Sequence, residues 1–404
     1  MEFGPILSAL RRNKVGALVI VVQTAITLAI LCNSLFIIQE RLRLIDRPTG
    51  LQEQDVFTIS NQWVGNPPDL AARVRADLAA LRALPEVVDA YVSNSYPLSN
   101  GGWDDVIMLE PSDAHWVASG ALYFADEHGL STLGLKLIAG RNFAAGEIQD
   151  RDDLEGKPPS ALIVSQTLAT KIFPAGDALG KSIYLADYKR KVPIIGIVER
   201  LQEPWISATY ERVENAMLQP YLYVETYSHY VVRAKPGQLP AAMKSTQKQL
   251  LSISRARVID KTRSMLESRR RAYQDDRGLA VILGVVSVVL VVVTAFGIIG
   301  VTSFWVSQRR RQIGIRRAMG ATRTAILRYF QTENLMIATA GAVLGVLLAL
   351  GLNFWMAGKF EMTRISIGST VAAAAIVLLL GQIAVLWPAL RAASISPVIA
   401  IRNA

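Results

Sequence analysis

The sequence predicts an α-helical membrane protein with four transmembrane helices and a large α+β extracytoplasmic (periplasmic) domain of two lobes inserted between helices 1 and 2. Three observations carry this. Four runs, Val15–Ile38, Leu279–Val306, Leu335–Gly358 and Ser366–Leu386, contain no Asp, Glu, Lys, Arg or His, and each can cross a hydrocarbon core that needs about 20 apolar residues. Only 19% of the 404 residues are charged and 51% are hydrophobic, against about 25% charged in soluble domains. The net charge of +10 would by itself suggest a nucleic-acid partner, but its distribution along the chain argues otherwise.

Residues 1–14 carry +2, the 307–334 connection +6 and the 387–404 tail +2, whereas the 39–278 segment carries 29 basic and 30 acidic residues and the 359–365 connection +1. The excess thus lies in alternate connections. The positive-inside rule places those connections in the cytoplasm, both termini included, and 39–278 outside the inner membrane. No nucleic-acid partner is expected. The first run is longer than a signal-peptide core and no small-residue cleavage site follows it, so it reads as a retained anchor.

The boundaries expected are a cytoplasmic N-terminal helix over 1–14, spans over 15–38, 279–306, 335–358 and 366–386, an outer domain over 39–278, a cytoplasmic loop over 307–334, a short outer loop over 359–365 and a cytoplasmic tail over 387–404. Within the outer domain Val56–Ser60 reads as a strand. Pro67-Pro68 opens a helix with the apolar face Leu70, Val74, Leu78 and Leu81, and Val87–Val92 follows as a strand. A second β-α-β unit is expected at Tyr230–Ala234, Leu239–Leu251 and Ala256–Asp260. Between them lie a helix near Ala125–Gly134, a strand Ala161–Val164 with a following helix, and a strand pair at Ser182–Leu185 and Val192–Val198. The reading is a core lobe over about 50–97 and 219–262, an inserted lobe over about 98–218 and a stalk over 262–278. Thr262–Arg277 is expected to be helical and to run into the second span, as Ile37–Asp46 continues the first. Whether these stalks carry movement or simply fray is open at this level.

Catalytic and metal chemistry find little support. The single cysteine, Cys32, sits in an apolar run and reads as a small buried residue. Three histidines, His115, His128 and His229, are scattered. The pairs Asp104-Asp105, Asp126-Glu127 and Asp152-Asp153 fall in loop-like surroundings and read as surface, and Asp126-Glu127-His128 has no second ligand cluster at a metal spacing. Gly176-Asp-Ala-Leu-Gly180-Lys181-Ser182 imitates a phosphate loop but has three residues between its glycines where a P-loop has four, and reads as a turn before a strand. No G-x-S-x-G or H-E-x-x-H occurs. No catalytic, cofactor or metal site is expected in this chain. The spans lack the ionisable groups that ion-coupled transport uses, and Gly341 and Gly345 form a G-x-x-x-G that permits close helix packing.

The 307–334 loop is the most shaped feature. Arg309–Met319 mixes basic residues with Ile313, Ile315 and Met319, Gly320 suits a left-handed helix stop, and Thr322 suits the cap of a helix carrying Ile326, Leu327 and Phe330 towards the third span. A short amphipathic helix parallel to the membrane is expected. It can serve anionic lipid headgroups or a soluble docking partner, and the residues alone do not choose.

The stretch Arg310-Arg311-Gln312-Ile313-Gly314-Ile315-Arg316-Arg317-Ala318-Met319-Gly320-Ala321-Thr322 resembles the R-E-I-G-I-R-K-A-L-G-A-T signature of FtsX/MacB-type ABC transporter permeases. The tail Trp387-Pro388-Ala389-Leu390-Arg391-Ala392-Ala393 with Ser396-Pro397-Val398 and Ala400-Ile401-Arg402 is similar to that family's closing P-A-x-x-A-A motif. Leu133-Gly134 to Gly140-Arg141-Asn142-Phe143 resembles its L-G-x-x-x-x-x-G-R-x-F, and Ile163-Val164-Ser165 to Ile172-Phe173-Pro174 with Leu179-Gly180-Lys181 matches its next stretch. The resemblance implies a dimer with a second permease copy or a paralogue, and a cytoplasmic ABC ATPase that binds ATP. The chain begins almost at its first span, so that ATPase is expected on a separate polypeptide. A membrane-fusion protein and an outer-membrane channel are further partners that the family suggests. Arg309, Gln312, Ile313, Gly314, Arg316, Arg317, Ala318, Met319, Gly320 and Thr322 would form the ATPase-docking segment. The family's glutamate is Gln312 here, which removes a charge from that segment and is consistent with pairing to a different permease. The function implied is mechanotransmission: ATP-driven closure of the ATPase moves the loop, and the stalks carry the motion to the outer domain for efflux of a substrate. The alternative is a regulator that activates an outer partner such as a cell-wall hydrolase; an anchored receptor and an anchored enzyme find less support.

Overall fold

The computed structural model describes residues 14–111, 116–151, 158–186, 188–206, 212–360 and 367–394. The expected features at residues 1–13, His115, Asp152-Asp153, most of the 359–365 loop and the tail motif from Ser396 lie outside the described residues. The chain forms two compact units, one of Met1–Ile45 with Asp276–Ala404 and one of Asp46–Asp275.

The first helix, α1 (Lys14–Ile45), carries the first apolar run and continues past it, as expected. The extramembrane unit then opens with β1 (Val56–Trp63), α2 (Leu70–Arg82) and β2 (Val87–Ser93). After a long excursion it closes with β12 (Tyr227–Ala234), α5 (Leu239–Ile253), β13 (Arg257–Ser264) and α6 (Met265–Ala272), the intervening strands being β3–β11. The four outer strands form one sheet in the order β13-β1-β12-β2, every neighbouring pair antiparallel. Each β-α-β unit is therefore split: β12 lies between β1 and β2, and β1 lies between β12 and β13. This is the ferredoxin-like double split unit. Alternation along the strands sorts the faces. Phe57, Ile59, Ala90, Val92, Tyr230 and Val232 pack with the helices, while Val56, Tyr91 and Val231 turn to a second core. The predicted face of α2, Leu70, Val74, Leu78 and Leu81, is buried.

Asp77 on the same helix is also fully buried. Its carboxylate accepts from Arg257 at 2.6 and 2.9 Å and from the Tyr230 hydroxyl at 2.6 Å, and the guanidinium lies 4.0 Å from the Trp63 ring centroid. The arrangement joins α2, β12 and β13, and its value lies in leaving no charge unpaired.

The excursion holds β3 (Trp103–Met108), β4 (Ala118–Phe124), α3 (Gly129–Leu133), β5 (Leu137–Gly140), β6 (Gln149–Arg151), β7 (Leu162–Ser165), α4 (Gln166–Ile172), β8 (Ser182–Leu185), β9 (Tyr188–Val198), β10 (Ala216–Gln219) and β11 (Tyr221–Tyr223). Seven of the strands run in the order β5-β9-β7-β10-β4-β3-β8, and β8 also pairs with β9. That last pairing closes a six-stranded ring and removes its open edges. The 11-residue β9 makes this possible by serving different partners with its two halves, Tyr188–Pro193 on β8 and Ile194–Val198 on β7. The expected two lobes are thus a ferredoxin-like lobe and a closed barrel inserted between β2 and β12.

The stalk expectation needs correction. Residues 262–264 are the end of β13, paired with β1, and not helix. A helix starts only at Met265, where the Ser264 hydroxyl accepts from the Glu267 amide at 3.1 Å, and it breaks at Tyr273 before α7 (Gln274–Gln308) begins. Edge pairing to β1 overrides the helix propensity of the polar run.

The membrane unit consists of α1, α7, α8 (Arg310–Ala318), α9 (Arg323–Phe360) and α10 (Ile367–Ala393). Its four long helices are apolar enough to cross a membrane. Helix α9 packs against both α1 and α10. Gly341 and Gly345 of α9 meet α1 so closely that a Cβ at either would lie 2.8 Å from Thr24 or from the Ala25 carbonyl oxygen, respectively. Cys32 is buried beside Leu28, Ala342, Ala349 and Val377. Polar groups inside pair locally: the Thr27 and Thr294 hydroxyls at 2.7 Å, Gln23 with the Val293 carbonyl at 3.1 Å, and Asn334 with the Gly381 carbonyl at 3.2 Å.

Two consequences are measurable on the intact protein. Asp77→Ala leaves Arg257 buried without its counter-charge and is expected to cost about 3–5 kcal/mol, read as a large loss of melting temperature of the extramembrane unit. Glu203 is 1% exposed, its Oε1 is 4.0 Å from Arg212 Nε, and neither oxygen accepts a hydrogen bond among the described residues. Burial pushes its carboxyl up to about 7; Arg212 opposes the shift, Asp104 adds to it and Lys171 opposes it. A raised carboxyl keeps its proton in the fold, so its contribution is full below the unfolded value of 4.5 and is lost as pH rises through about 7. Stability should therefore fall between those values, by up to ~3 kcal/mol, and Glu203→Gln should flatten that fall. An equal fall in the variant would assign the effect to another group.

Candidate functional site

The arginine-rich connection is built from helix chemistry outwards. Helix α7 ends at Gln308, Arg309 interrupts it, and α8 starts at Arg310. The end of α8 is closed by a Schellman arrangement. Gly320 takes φ +99°, its amide donates to the Arg317 carbonyl at 3.1 Å, and the Ala321 amide reaches the Arg316 carbonyl at 3.0 Å. Thr322 then caps α9, its hydroxyl accepting from the Ala325 amide at 3.2 Å. Both the glycine stop and the threonine cap are as the sequence predicts. Arg316 and Arg317 in the last turn of α8 suit the negative end of its dipole.

One side of α8 is committed to the interior. Ile313 and Gly314 are buried, and Ile313 joins a cluster with Trp305, Ile326, Phe330 and Ala389. These two residues face the interior of the membrane unit. Arg309 is half-buried and gives both Nη1 contacts, at 2.9 Å, to the two oxygens of Glu333, which is 1% exposed. Its guanidinium lies 5.8 Å from the Trp305 ring centroid, and that of Arg316 lies 5.2 Å from Tyr329. The one acidic residue of the 307–334 connection is thereby spent on Arg309.

The other side is open. Arg310, Arg311, Gln312, Ile315, Arg316, Ala318, Met319, Gly320 and Thr322 are exposed, and Arg317 is half-buried. Gln312, Ile315, Arg316 and Met319 follow the i, i+3, i+4, i+7 spacing of a single helical stripe. Met319 is 76% and Ile315 43% exposed. An apolar pair on a strongly basic helix is an expensive thing to leave in water and suits an interface with an acidic rim. The reading of the sequence missed Glu333, Trp305 and Tyr329. A lone carboxylate in a segment with seven arginines was the available signal for the first.

The other candidates disperse into structural roles. Gly176 and Gly180 are both left-handed, Lys181 pairs with Asp177 at 2.5 Å, and the Gly180 amide donates to the Ile194 carbonyl, so this loop is a turn before β8 and not a phosphate cradle. Asp126 pairs with Arg82 at 2.7 Å, and His128 lies 2.8 Å from Asp89. His229 is buried between Tyr96 and Tyr227, and burial depresses its imidazole to about 4. Among the described residues no group of three or more His, Cys, Asp or Glu side chains could hold a metal ion.

Comparison with known proteins agrees with this division. Residues 24–250 match the MacB-like periplasmic core domain and residues 284–397 match the FtsX-like permease C-terminal domain. The macrolide export ATP-binding/permease protein MacB of Chromobacterium violaceum is 26% identical over 66% of this chain and 41% of its own length. The ABC transporter permease YvrN of Bacillus subtilis is 24% identical over 70% of this chain and 69% of its own. The periplasmic region of MacB from Actinobacillus actinomycetemcomitans aligns at 15% identity and TM-score 0.35 over 57% of this chain and 97% of that one, a likeness too slight to carry an argument. The chain spans less than half the length of the MacB relatives it matches. With more than half of its residues inside the periplasmic core model and its last spans inside the permease model, the chain belongs to the MacB/FtsX family of ABC transporter permeases.

Proposed function

We propose that this chain is the non-catalytic permease subunit of an ATP-driven efflux complex in the inner membrane, with the arginine-rich connection in the cytoplasm and residues 46–275 in the periplasm. The observation that carries the reading is the exposed stripe Gln312–Ile315–Arg316–Met319 on a helix whose opposite side is pinned by Ile313, Gly314 and the Arg309–Glu333 pair. Such a helix passes on a push, because it cannot slide without moving the ends of α7 and α9. The 404 residues contain no P-loop, so ATP binds to a different polypeptide segment, here assigned to a separate ABC ATPase docked on that stripe. A second permease copy or a paralogue completes the membrane part, and a membrane-fusion protein with an outer-membrane channel would extend the path outward. Spans without ionisable residues suit mechanical transmission better than a hydrophilic route through the bilayer.

Met319→Glu places a carboxylate at the centre of the proposed contact while leaving the buried side of α8 untouched. Co-purified with the ABC ATPase encoded nearest to it, the variant is expected to retain at most about one tenth of the bound ATPase, the loss of a hot spot of at least ~2 kcal/mol. Membrane insertion should be unchanged, and Val258→Glu, on the extramembrane unit, should retain the full amount. Undiminished ATPase recovery with Met319→Glu would remove the docking assignment.

A further inference from the structure

The chain passes between its two units twice, at Ile45/Asp46 and at Asp275/Asp276. On the extramembrane side both segments are held by specific hydrogen bonds, some half-buried and some fully buried. Glu53, in the segment after α1, takes Arg269 of α6 in a two-point ion pair, Nε to Oε2 at 2.7 Å and Nη2 to Oε1 at 2.5 Å, and also accepts from the Thr49 hydroxyl. This ties the two segments to each other. It does not tie them to the barrel.

The first segment also reaches the insert through the Gln52 amide, which donates to the Leu133 carbonyl at 3.0 Å, and both segments reach it through Gln202, in the stretch between β9 and β10. Its amide N–H donates to the Thr49 carbonyl at 3.0 Å, its side-chain Nε2 donates to the Tyr273 hydroxyl at 3.2 Å, and its carbonyl accepts from the Tyr123 hydroxyl at 2.7 Å. Thr49 belongs to the segment leaving α1, Tyr273 is the break between α6 and α7, and Tyr123 lies on β4 of the barrel. All four residues are 1% exposed. Gly50, at φ +90°, lets the first segment run against the Arg200 carbonyl: a Cβ there would sit 2.2 Å from that oxygen. One residue thus bonds three chain segments with three different groups, in a site where water cannot substitute for a lost partner.

We propose that Gln202 is the positioning residue through which a displacement of α1 and α7 is delivered to the barrel lobe. The inference rests on the permease reading and refines it. The Glu53–Arg269 pair makes the two entering segments move together, and Gln202 makes the barrel move with them. Tyr273, where the helix breaks, is the point at which a rotation of α7 acts on the Gln202 side chain.

The test uses the full-length protein in nanodiscs with its ATPase, Cys32→Ala as background, and two spin-label pairs. Leu42→Cys with Leu279→Cys reports on the membrane ends of the connections, and Lys136→Cys with Lys261→Cys reports on the barrel against the four-stranded sheet. In the parent protein both distances should differ between ATP-analogue and nucleotide-free states. In Gln202→Leu, and in Tyr273→Phe, which removes only the phenol oxygen, the first distance should still change while the change in the second falls to less than half. A second-pair change as large as the parent's in both variants overturns the role of Gln202. No change in either pair of the parent protein overturns the mechanical reading itself, and this inference with it.

Discussion

A hydrocarbon layer tolerates neither unpaired charge nor unbonded backbone, and the arrangement of this chain follows from that constraint. The four long helices keep ionisable groups out of their apolar runs, and the chain's net positive excess sits in the segments 1–14, 307–334 and 387–404. Inside, some of the polar side chains that remain are paired locally, as with the Thr27–Thr294 hydroxyls and the Asn334 amide N–H donating to the Gly381 carbonyl. Cohesion has to come from close approach, which is what Gly341 and Gly345 provide against α1. Where charge must sit at a helix junction it is paired, and the Arg309–Glu333 contact fastens the start of α8 to α9. With its inner side fastened in this way, α8 can leave its basic and apolar outer side uncovered.

The extramembrane unit meets a different demand. A lobe interrupted between its second and third strands must not be loosened by the interruption. Closure of the inserted barrel through β9 removes the ring's open edges, the split β-α-β units lock the first and last thirds of the unit into one sheet, and the apolar cores are shared between sheet and insert. The buried Asp77–Arg257 pair spans that junction of early and late sequence. The polar knot at Thr49, Gln202 and Tyr273 then gathers both chain connections against the insert.

Much of this was legible in the sequence, and the reasons for what was not are physical. Spans were legible because length and lack of charge decide them locally. The Gly320 stop and the Thr322 cap were legible because each is a local backbone requirement. The two β-α-β units could be seen, but not their interleaving, because strand order is set by pairings such as Val56 with Arg233, far apart in sequence. Residues 262–264 read as helix and are strand for the same reason: β1 supplies a partner that local propensity does not register. In the arginine-rich connection, the residue types were visible but not their facing. Ile313 is fixed inward beside Trp305 and Phe330, and Gly314 is buried next to it, which a heptad count of so short a helix does not reveal. Glu203 gave no signal, since its burial depends on the stretch between β9 and β10 folding against the barrel.

Docking of an ATPase on α8 requires the arginine-rich connection to lie in the cytoplasm and the two-lobed unit on the opposite side of the membrane. In a Cys32→Ala background, Met319→Cys and Lys136→Cys can each be offered a membrane-impermeant maleimide, applied to spheroplasts before and after permeabilisation. Lys136→Cys should react in intact spheroplasts, and Met319→Cys should react only once the membrane is opened. Labelling of Met319→Cys in intact spheroplasts, with Lys136→Cys protected, would invert the topology and rule out an ATPase docked on α8.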